Sequence, residues 1–353
     1  GGTKCGADDR GSIMGNFTYS KDAGLYSRDR KISAQDCLFV CGPSAYSSFP
    51  AQGNFLLRGN TPLSNVNILT DANGNPTNRF TFNPDNSVEN GFPVGYGYNR
   101  NGDRRISTPL ERYLGAISAK YEVTNNVTAF FEGTYGKVKS SSQIEASAMG
   151  FGAGVGAADL PFGYAIDNPF IPTSIASAIA AANSDANPDN DITSISFARR
   201  QNEVFTRSNN NSRETFRIAG GFRGAITDKW NFEVAGVYGR LKDRTATQDV
   251  DLTKYAYALD AVRDSSGNIV CRDEAARAAG CAPINLFGYN TASATASQYV
   301  QASIPRSNTV TNTQFVATAT ADGSLITLPY GDVLVAVGAE YRREKSISDW
   351  DDL

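Results

Sequence analysis

The sequence predicts an all-β fold: part of an antiparallel transmembrane β-barrel, with short periplasmic turns and long extracellular loops. Three observations predict it. Apolar and polar residues alternate over stretches of about ten residues, the spacing of a strand with two unlike faces. These stretches come in pairs joined by a few polar residues. The pairs are separated by segments that run to roughly seventy residues, far above ordinary loop length. Every short turn therefore falls at one end of the sheet and every long loop at the other, the asymmetry of an outer-membrane barrel.

Composition fits that class. The 353 residues carry a net charge of -3 and 10% aromatic side chains, with Tyr 16, Phe 19 and Gly 33. An acidic balance of this kind excludes a basic nucleic-acid binder, so no nucleic-acid partner is expected. Mean hydropathy is -0.33, and no apolar run approaches the ~20 residues of a membrane helix. A barrel escapes both limits, because only alternate residues meet lipid. The chain opens Gly1-Gly2-Thr3-Lys4-Cys5, with no initiator Met and no apolar run behind it. It reads as a mature chain or as one cut from something longer.

The elements follow in order. Residues 11–20 alternate Ile13, Gly15, Phe17 and Tyr19 against Ser12, Met14, Asn16 and Thr18, a strand. From about residue 22 to 107 the pattern stops, and Pro43, Pro50, Pro62, Pro76, Pro84 and Pro93 punctuate a long connection with room for short hairpins of its own, such as residues 79–82. Residues 111–140 form a hairpin that turns at Thr124-Asn125-Asn126. Tyr113, Gly115, Ile117, Ala119, Tyr121, Phe131 and Tyr135 share its apolar face. Residues 143–211 are a second excursion, with a spaced glycine run (Gly150, Gly152, Gly154, Gly156) and a short helix over 173–182 capped by Thr173 or Ser174. Residues 213–241 form the next hairpin, turning at Thr227-Asp228-Lys229. A third excursion, about 242–312, holds a short helix at 273–279 stopped by Gly280. A last hairpin turns at Pro329-Tyr330-Gly331. About seven long strands result.

The strand faces differ in the same way throughout. Phe216, Ile218, Phe222, Trp230, Phe232 and Val234 read as lipid-facing, and Lys120, Glu122, Arg217, Arg223, Glu233 and Glu340 as facing a wet lumen. Trp230, Tyr121 and Tyr113 lie near strand ends, where an aromatic girdle belongs. A soluble sandwich would bury the apolar face with the same alternation; the loop asymmetry is what favours the membrane.

The chemistry of the chain is mostly exclusion. With His 0 there is no imidazole base and no Ser-His or Cys-His dyad, so no catalytic residue and no enzyme is expected. The five cysteines fall as Cys37 and Cys41, Cys271 and Cys281, and a leftover Cys5. A mixed Cys/His zinc site is impossible, and an all-cysteine site would lack tight knuckles. Two local disulfides, Cys37–Cys41 and Cys271–Cys281, in an oxidising compartment fit better. Cys5 is a free thiol or has a partner outside the chain. Asp185, Asn187, Asp189 and Asp191 place oxygens as a calcium loop would, but Asn190 replaces the glycine and Ser196 the closing acid, so the segment reads as a solvated loop. The glycine run lacks the Lys-Ser/Thr of a phosphate loop. No metal and no cofactor is expected.

Specific strings then resemble a family. Thr108-Pro109-Leu110-Glu111-Arg112 leads into Tyr121-Glu122-Val123. Asn168-Pro169-Phe170-Ile171-Pro172 and Phe197-Ala198-Arg199-Arg200 before Glu203 follow, then Phe216-Arg217 and Gly220-Gly221-Phe222-Arg223-Gly224. Cys281-Ala282-Pro283-Ile284-Asn285-Leu286-Phe287-Gly288 and Gly338-Ala339-Glu340-Tyr341-Arg342 complete the series. Together they resemble the barrel portion of TonB-dependent outer-membrane receptors, over about two-thirds of the chain. The family's plug domain and its closing C-terminal strand are not seen, and such transporters have about 22 strands. An open seven-stranded sheet would leave edge groups unsatisfied in lipid, so residues 1–353 are expected to be part of a larger barrel.

The resemblance implies a bacterial outer-membrane location with lipid around the wall. It implies energy-coupled import of a scarce nutrient: a ferric siderophore, a cobalamin or an oligosaccharide. The partners it implies are that small-molecule or glycan ligand and an inner-membrane TonB-type coupler acting through the plug. Arg199, Arg200, Arg217, Arg223 and Arg342 are candidates for the lumen or the outer vestibule, where they would draw in an anionic ligand. The alternative is a network with Glu203, Glu233 and Glu340 that supports the wall. Tyr46, Phe49, Tyr96, Tyr98, Tyr164 and Phe170 are candidates to stack on a ligand, with loop packing as the alternative. Two other functions stay open: a secreted soluble β-rich glycan-binding protein, and a passive porin or adhesin barrel.

Overall fold

The computed structural model describes residues 2–5, 10–59, 65–150, 163–204, 207–248, 250–301 and 306–351. Its larger part is an eight-stranded sheet whose strands we number in chain order: β1 (Gly2–Cys5), β2 (Gly11–Asp22), β3 (Leu110–Thr124), β4 (Val127–Gln143), β5 (Ser208–Thr227), β6 (Trp230–Thr247), β7 (Arg306–Leu328) and β8 (Gly331–Trp350). Their order in the sheet is their order in the chain, and every neighbouring pair is antiparallel. The sheet is thus an all-antiparallel meander, open between β1 and β8 among the described residues.

The three tight turns, Asn125–Asn126, Asp228–Lys229 and Pro329–Tyr330, lie at one end. Each is preceded by the same irregularity in the register, between Glu122 and Thr124, Ala225 and Thr227, and Ser324 and Ile326. A bulge at that place sharpens the twist with which a hairpin closes. The seven long strands expected from the sequence are β2 to β8. They outrun the alternation: β5 pairs with β4 as far as Ser208 with Gln143, five residues before the predicted start. Backbone pairing needs no apolar side chain, so a strand continues where the sequence pattern has already ended. β1 has four residues and too short a pattern to read.

The other end of the sheet carries a body packed from all three long connections. Its sheet joins Asn54–Arg58, Arg79–Phe82 and Val88–Asn90 from the first connection with Ala148–Gly150, Tyr164–Ala165 and Ser194–Arg200 from the second. The third supplies helices Leu252–Leu259, Glu274–Ala278 and Ala294–Val300 and the buried run Ile284, Leu286 and Phe287. One core results. Phe55 stacks on Phe287 at 4.6 Å and on Phe80 at 5.1 Å, with Phe82 edge-on at 5.8 Å, and Tyr164 lies 4.7 Å from Phe287. So the described parts of the long connections pack as one body.

Helix Thr173–Asn183 buries Ile175, Ile179 and Ala182 along one stripe. Neither Thr173 nor Ser174 caps it. The cap is Pro172, whose ring offers no acceptor; just upstream, Asn168 Oδ1 accepts from Phe170 N–H at 3.0 Å and Asn168 Nδ2 donates to the Leu259 carbonyl at 2.8 Å. Asp273 does cap the helix expected near 273–279, accepting from Ala276 N–H at 2.7 Å, and Gly280 follows with φ +87°. The helices at 252–259 and 294–300 were not expected. Their only local signals are the N-caps Asp251 and Ser293. Cys37 is bonded to Cys41 and Cys271 to Cys281. Pro62, Gly152, Gly154, Gly156, the Cys5 side chain and Leu353 lie outside the described residues.

Candidate functional site

The register places each side chain of the large sheet on a definite face. Tyr113 opposes Tyr19, Tyr135 opposes Phe216, Phe222 opposes Val234, and Ala319 opposes Val234 and Ala339. On each long strand this face carries no charged residue between its aromatic residue (Tyr19, Tyr113, Tyr135, Phe216, Tyr238, Phe315 or Tyr341) and the tight-turn end, although Lys137, Arg240 and Arg343 stand in register with Tyr113, Phe216 and Phe315. Eleven residues, as from Tyr113 to Val123, cover ~33 Å along a strand, or ~25 Å of height at the tilt usual in a barrel, which is the apolar band of such walls. The face is uncovered: Phe17 is 70% exposed and Phe222 51%.

Two rows bound this band toward the loop body. The first is aromatic, one residue from each strand from β2 to β8: Tyr19, Tyr113, Tyr135, Phe216, Tyr238, Phe315 and Tyr341. Adjacent rings lie close, Tyr19 to Tyr113 at 5.1 Å and Phe315 to Tyr341 at 6.3 Å. The second, immediately beyond it on the same face, is charged. It holds Lys21, Lys137, Lys139, Arg240, Lys242, Arg244, Arg343 and Lys345 against Glu111, Glu214 and Asp349.

The opposite face mixes charged and polar side chains with apolar ones such as Met14, Leu114 and Phe130. Arg223 stands opposite Glu233 in register and over the Phe130 ring at 5.3 Å. Arg217 reaches Glu132 at 3.5 Å. Arg342 lies between Glu340 at 2.9 Å and Glu344 at 3.6 Å, and Gln314 donates to Glu344 at 2.7 Å. All these partners are substantially exposed, so each pair contributes little to stability and leaves its charge available.

Arg199 and Arg200 are elsewhere. They end the strand Ser194–Arg200 inside the loop body, and the Arg199 side chain is 1% exposed. It pairs with Glu203 and donates to the Gly288 carbonyl at 3.0 Å. Arg200 donates to the Ala146 carbonyl at 2.9 Å, lies 3.9 Å from Glu145 and faces the Tyr98 ring at 5.7 Å. Burial lowers its pKa and the nearby Arg100 and Arg104 charges add to that, against the opposing pull of Glu145. The assignment of Arg199 and Arg200 to a lumen or vestibule surface is therefore corrected: they hold the body together from within. The five arginines do not converge on one point.

The aromatic candidates divide likewise. Phe49 and Tyr164 are buried, and Phe170 packs on the core. Tyr98 is partly buried and donates to Asp103, while Asn202 donates to its hydroxyl at 2.6 Å; burial and the carboxylate push it up to about 12. Asp185 accepts from Asn187 N–H at 2.7 Å and from the Asn190 side chain at 2.8 Å, so this carboxylate is engaged within its own loop.

A cleft that sequence reasoning missed opens on the loop body. It has a volume of about 970 Å³ and is lined by Tyr164, Asp167, Ser194, Tyr257, Asp260 and Arg272, among others. Arg272 bridges Asp167 at 2.7 Å and Asp260 at 2.9 Å across it. The residues come from the second and third connections, so no local pattern announces it.

No family model matches the chain, and no curated protein matches it by sequence. Among solved structures it matches the siderophore receptor PiuA from Acinetobacter baumannii at 12% identity, over 69% of this chain, with a TM-score of 0.24. The chain spans 30% of the length of that receptor. A likeness of that size decides nothing about this protein, whose reading rests on its own faces and register.

Proposed function

We propose that this chain is wall and outer loop body of an energy-gated outer-membrane importer for a scarce, bulky nutrient. The observation that carries the membrane part is the uncharged, aromatic-edged face that runs unbroken across seven strands. In water it would expose a continuous apolar surface much larger than soluble monomers tolerate; against lipid it is the required finish. The tight turns then lie on the periplasmic side and the loop body outside.

The energy-gated part rests on the sequence strings that resemble TonB-dependent receptors. In this reading the ligand is a ferric chelate, a cobalamin or an oligosaccharide. It is captured at the loop body, where the cleft around Arg272, Asp167 and Asp260 suits a polar, hydrogen-bonding molecule, and then passes Arg217, Arg223 and Arg342 on the wet face.

The test is uptake of a panel of labelled ferric chelates, cobalamin and oligosaccharides, in cells with and without the inner-membrane coupler. At least one compound should enter only when both this protein and the coupler are present. Uptake that survives loss of the coupler contradicts gating. Purification as a monodisperse monomer in detergent-free buffer contradicts the wall itself.

A further inference from the structure

The chemistry of the cleft on the loop body narrows the ligand it can take. Its lining carries four carboxylates, Asp167, Asp260, Asp273 and Glu274, against the one guanidinium of Arg272. Arg272 is already claimed from two sides: Nη2 donates to Asp167 Oδ1 at 2.7 Å and Nε to Asp260 Oδ1 at 2.9 Å. An anionic ferric chelate entering here would meet a surplus of negative charge and, among the described lining residues, no unclaimed cation. Nor do the carboxylates gather around one point: among the described residues no three Asp, Glu, Cys or His side chains stand close enough to hold a metal ion.

What the cleft offers is hydrogen bonding beside an aromatic ring. Among the described residues, Oδ2 of Asp167 and Oδ2 of Asp260 accept no hydrogen bond and Arg272 Nη1 donates none. Two charged acceptors and a donor thus stand side by side, fixed in place by the fork of one guanidinium. Helix Leu252–Leu259 turns Tyr255, Ala258 and Leu259 into the core. It leaves Tyr257 on the cleft wall, 39% exposed, with no ring partner and no hydrogen bond among the described residues. A concave site with an uncovered aromatic ring and a few convergent polar groups is the usual lining of a small-molecule pocket. A pyranose ring matches these groups. Its face of C–H groups covers an aromatic ring and excludes water from it, while its neighbouring hydroxyls both donate and accept. At about 970 Å³ the cleft has room for several such rings.

We propose that this cleft takes an uncharged, polyhydroxylated ligand, so that the nutrient is a neutral oligosaccharide and not an anionic ferric chelate. The proposal rests on the reading of the cleft as the place of capture. Tyr257 carries a sugar ring, Asp167 and Asp260 accept from adjacent hydroxyls, and Arg272 Nη1 donates to a ring or hydroxyl oxygen.

The experiment measures calorimetric binding of the full chain, purified in detergent, to neutral hexaoses of the malto, cello, xylo and manno series, to cobalamin and to ferric citrate, at low salt and at about 0.5 M salt. At least one hexaose should bind about tenfold or more tightly than ferric citrate or cobalamin. Its affinity should stay within about twofold across the salt range, because salt screens only charged partners. Tyr257→Ala should weaken that hexaose by about tenfold, the scale of one lost aromatic contact. Asp167→Asn with Asp260→Asn should weaken it too and, by releasing Arg272, strengthen ferric citrate. If the double variant fails to fold, Tyr257→Ala and the salt series on the unaltered protein decide. Ferric citrate or cobalamin bound more tightly than every hexaose, a salt-sensitive hexaose affinity, or no hexaose bound at all overturns the proposal and leaves gated import standing. Hexaose affinity unchanged by Tyr257→Ala overturns the cleft as its site. A hexaose that binds as described yet enters cells without the coupler overturns gating and leaves the cleft assignment standing.

Discussion

At the scale of single residues, Glu145 is the buried one among several loop-body carboxylates, with Asp71, Asp85, Asp185 and Asp264, whose pKa values are held below the ordinary one. Its carboxylate accepts from Arg104 Nε at 2.8 Å and Arg104 NH2 at 2.6 Å, with Arg200 at 3.9 Å. Burial pushes its pKa up, but the Arg104 bond and the surrounding positive charge outweigh that and hold it below the ordinary value. A carboxyl depressed on folding contributes stability above its unfolded pKa and loses it as pH falls through the folded one. The loop body should therefore weaken progressively below about pH 4.3, the unperturbed value for Glu. Glu145→Gln should make that acid limb shallower and lower neutral-pH stability by roughly 1.5–3 kcal/mol, the scale of a charged hydrogen bond. Thermal unfolding of the body against pH checks both; an unchanged acid limb in the variant would assign it to another group. The same neighbourhood shows what could not be read from the chain. Arg200 looks like Arg217 in sequence, yet every residue from Ile195 to Arg200 is buried. A strand covered on both faces has no period of two, so nothing local distinguishes a core arginine from a lumen one.

At the scale of elements, the long wall strands were legible throughout, and the loop body only in pieces: the hairpin strand Arg79–Phe82, the helices near 173 and 273, and the two disulfides. Residues 113 to 135 or 216 to 238 repeat one rule for about ten residues on each leg, and the short turns between them carry their own polar signals. The body's strands have two to seven residues, and their partners are distant: Phe197 pairs with Phe55, and Phe55 with Phe80. The sequence also marked strings rather than periods. Phe197 to Glu203 and Ile284 to Phe287, noticed for their resemblance, turn out to supply the body's buried ion pair and part of its aromatic core. Phe55 is the hub of that core and fully buried. Phe55→Ala should cost the body about 3–5 kcal/mol, the usual range for a buried Phe. Protease protection of residues near Phe80 and Phe287 should fall, while the wall keeps its resistance in membranes. Equal loss of both would mean that body and wall fold as one unit.

At the scale of the whole molecule, the proposed wall requires that the two faces of the large sheet meet different solvents. On the proposed reading hydrocarbon lies against Phe131, Phe222 and Val234, and water against Glu132, Arg223 and Glu233. The most direct measurement is an arginine scan along β4 from Thr128 to Tyr135, read as heat-modifiable protein in the outer-membrane fraction. Arginine at the middle of a lipid face costs about 2–4 kcal/mol, whereas a wet lumen accepts it. Assembled protein should therefore fall steeply at Ala129, Phe131, Gly133 and Tyr135 and stay near the unaltered level at Thr128, Phe130, Glu132 and Thr134. A flat profile, or one in which the second set is the sensitive one, would contradict the wall.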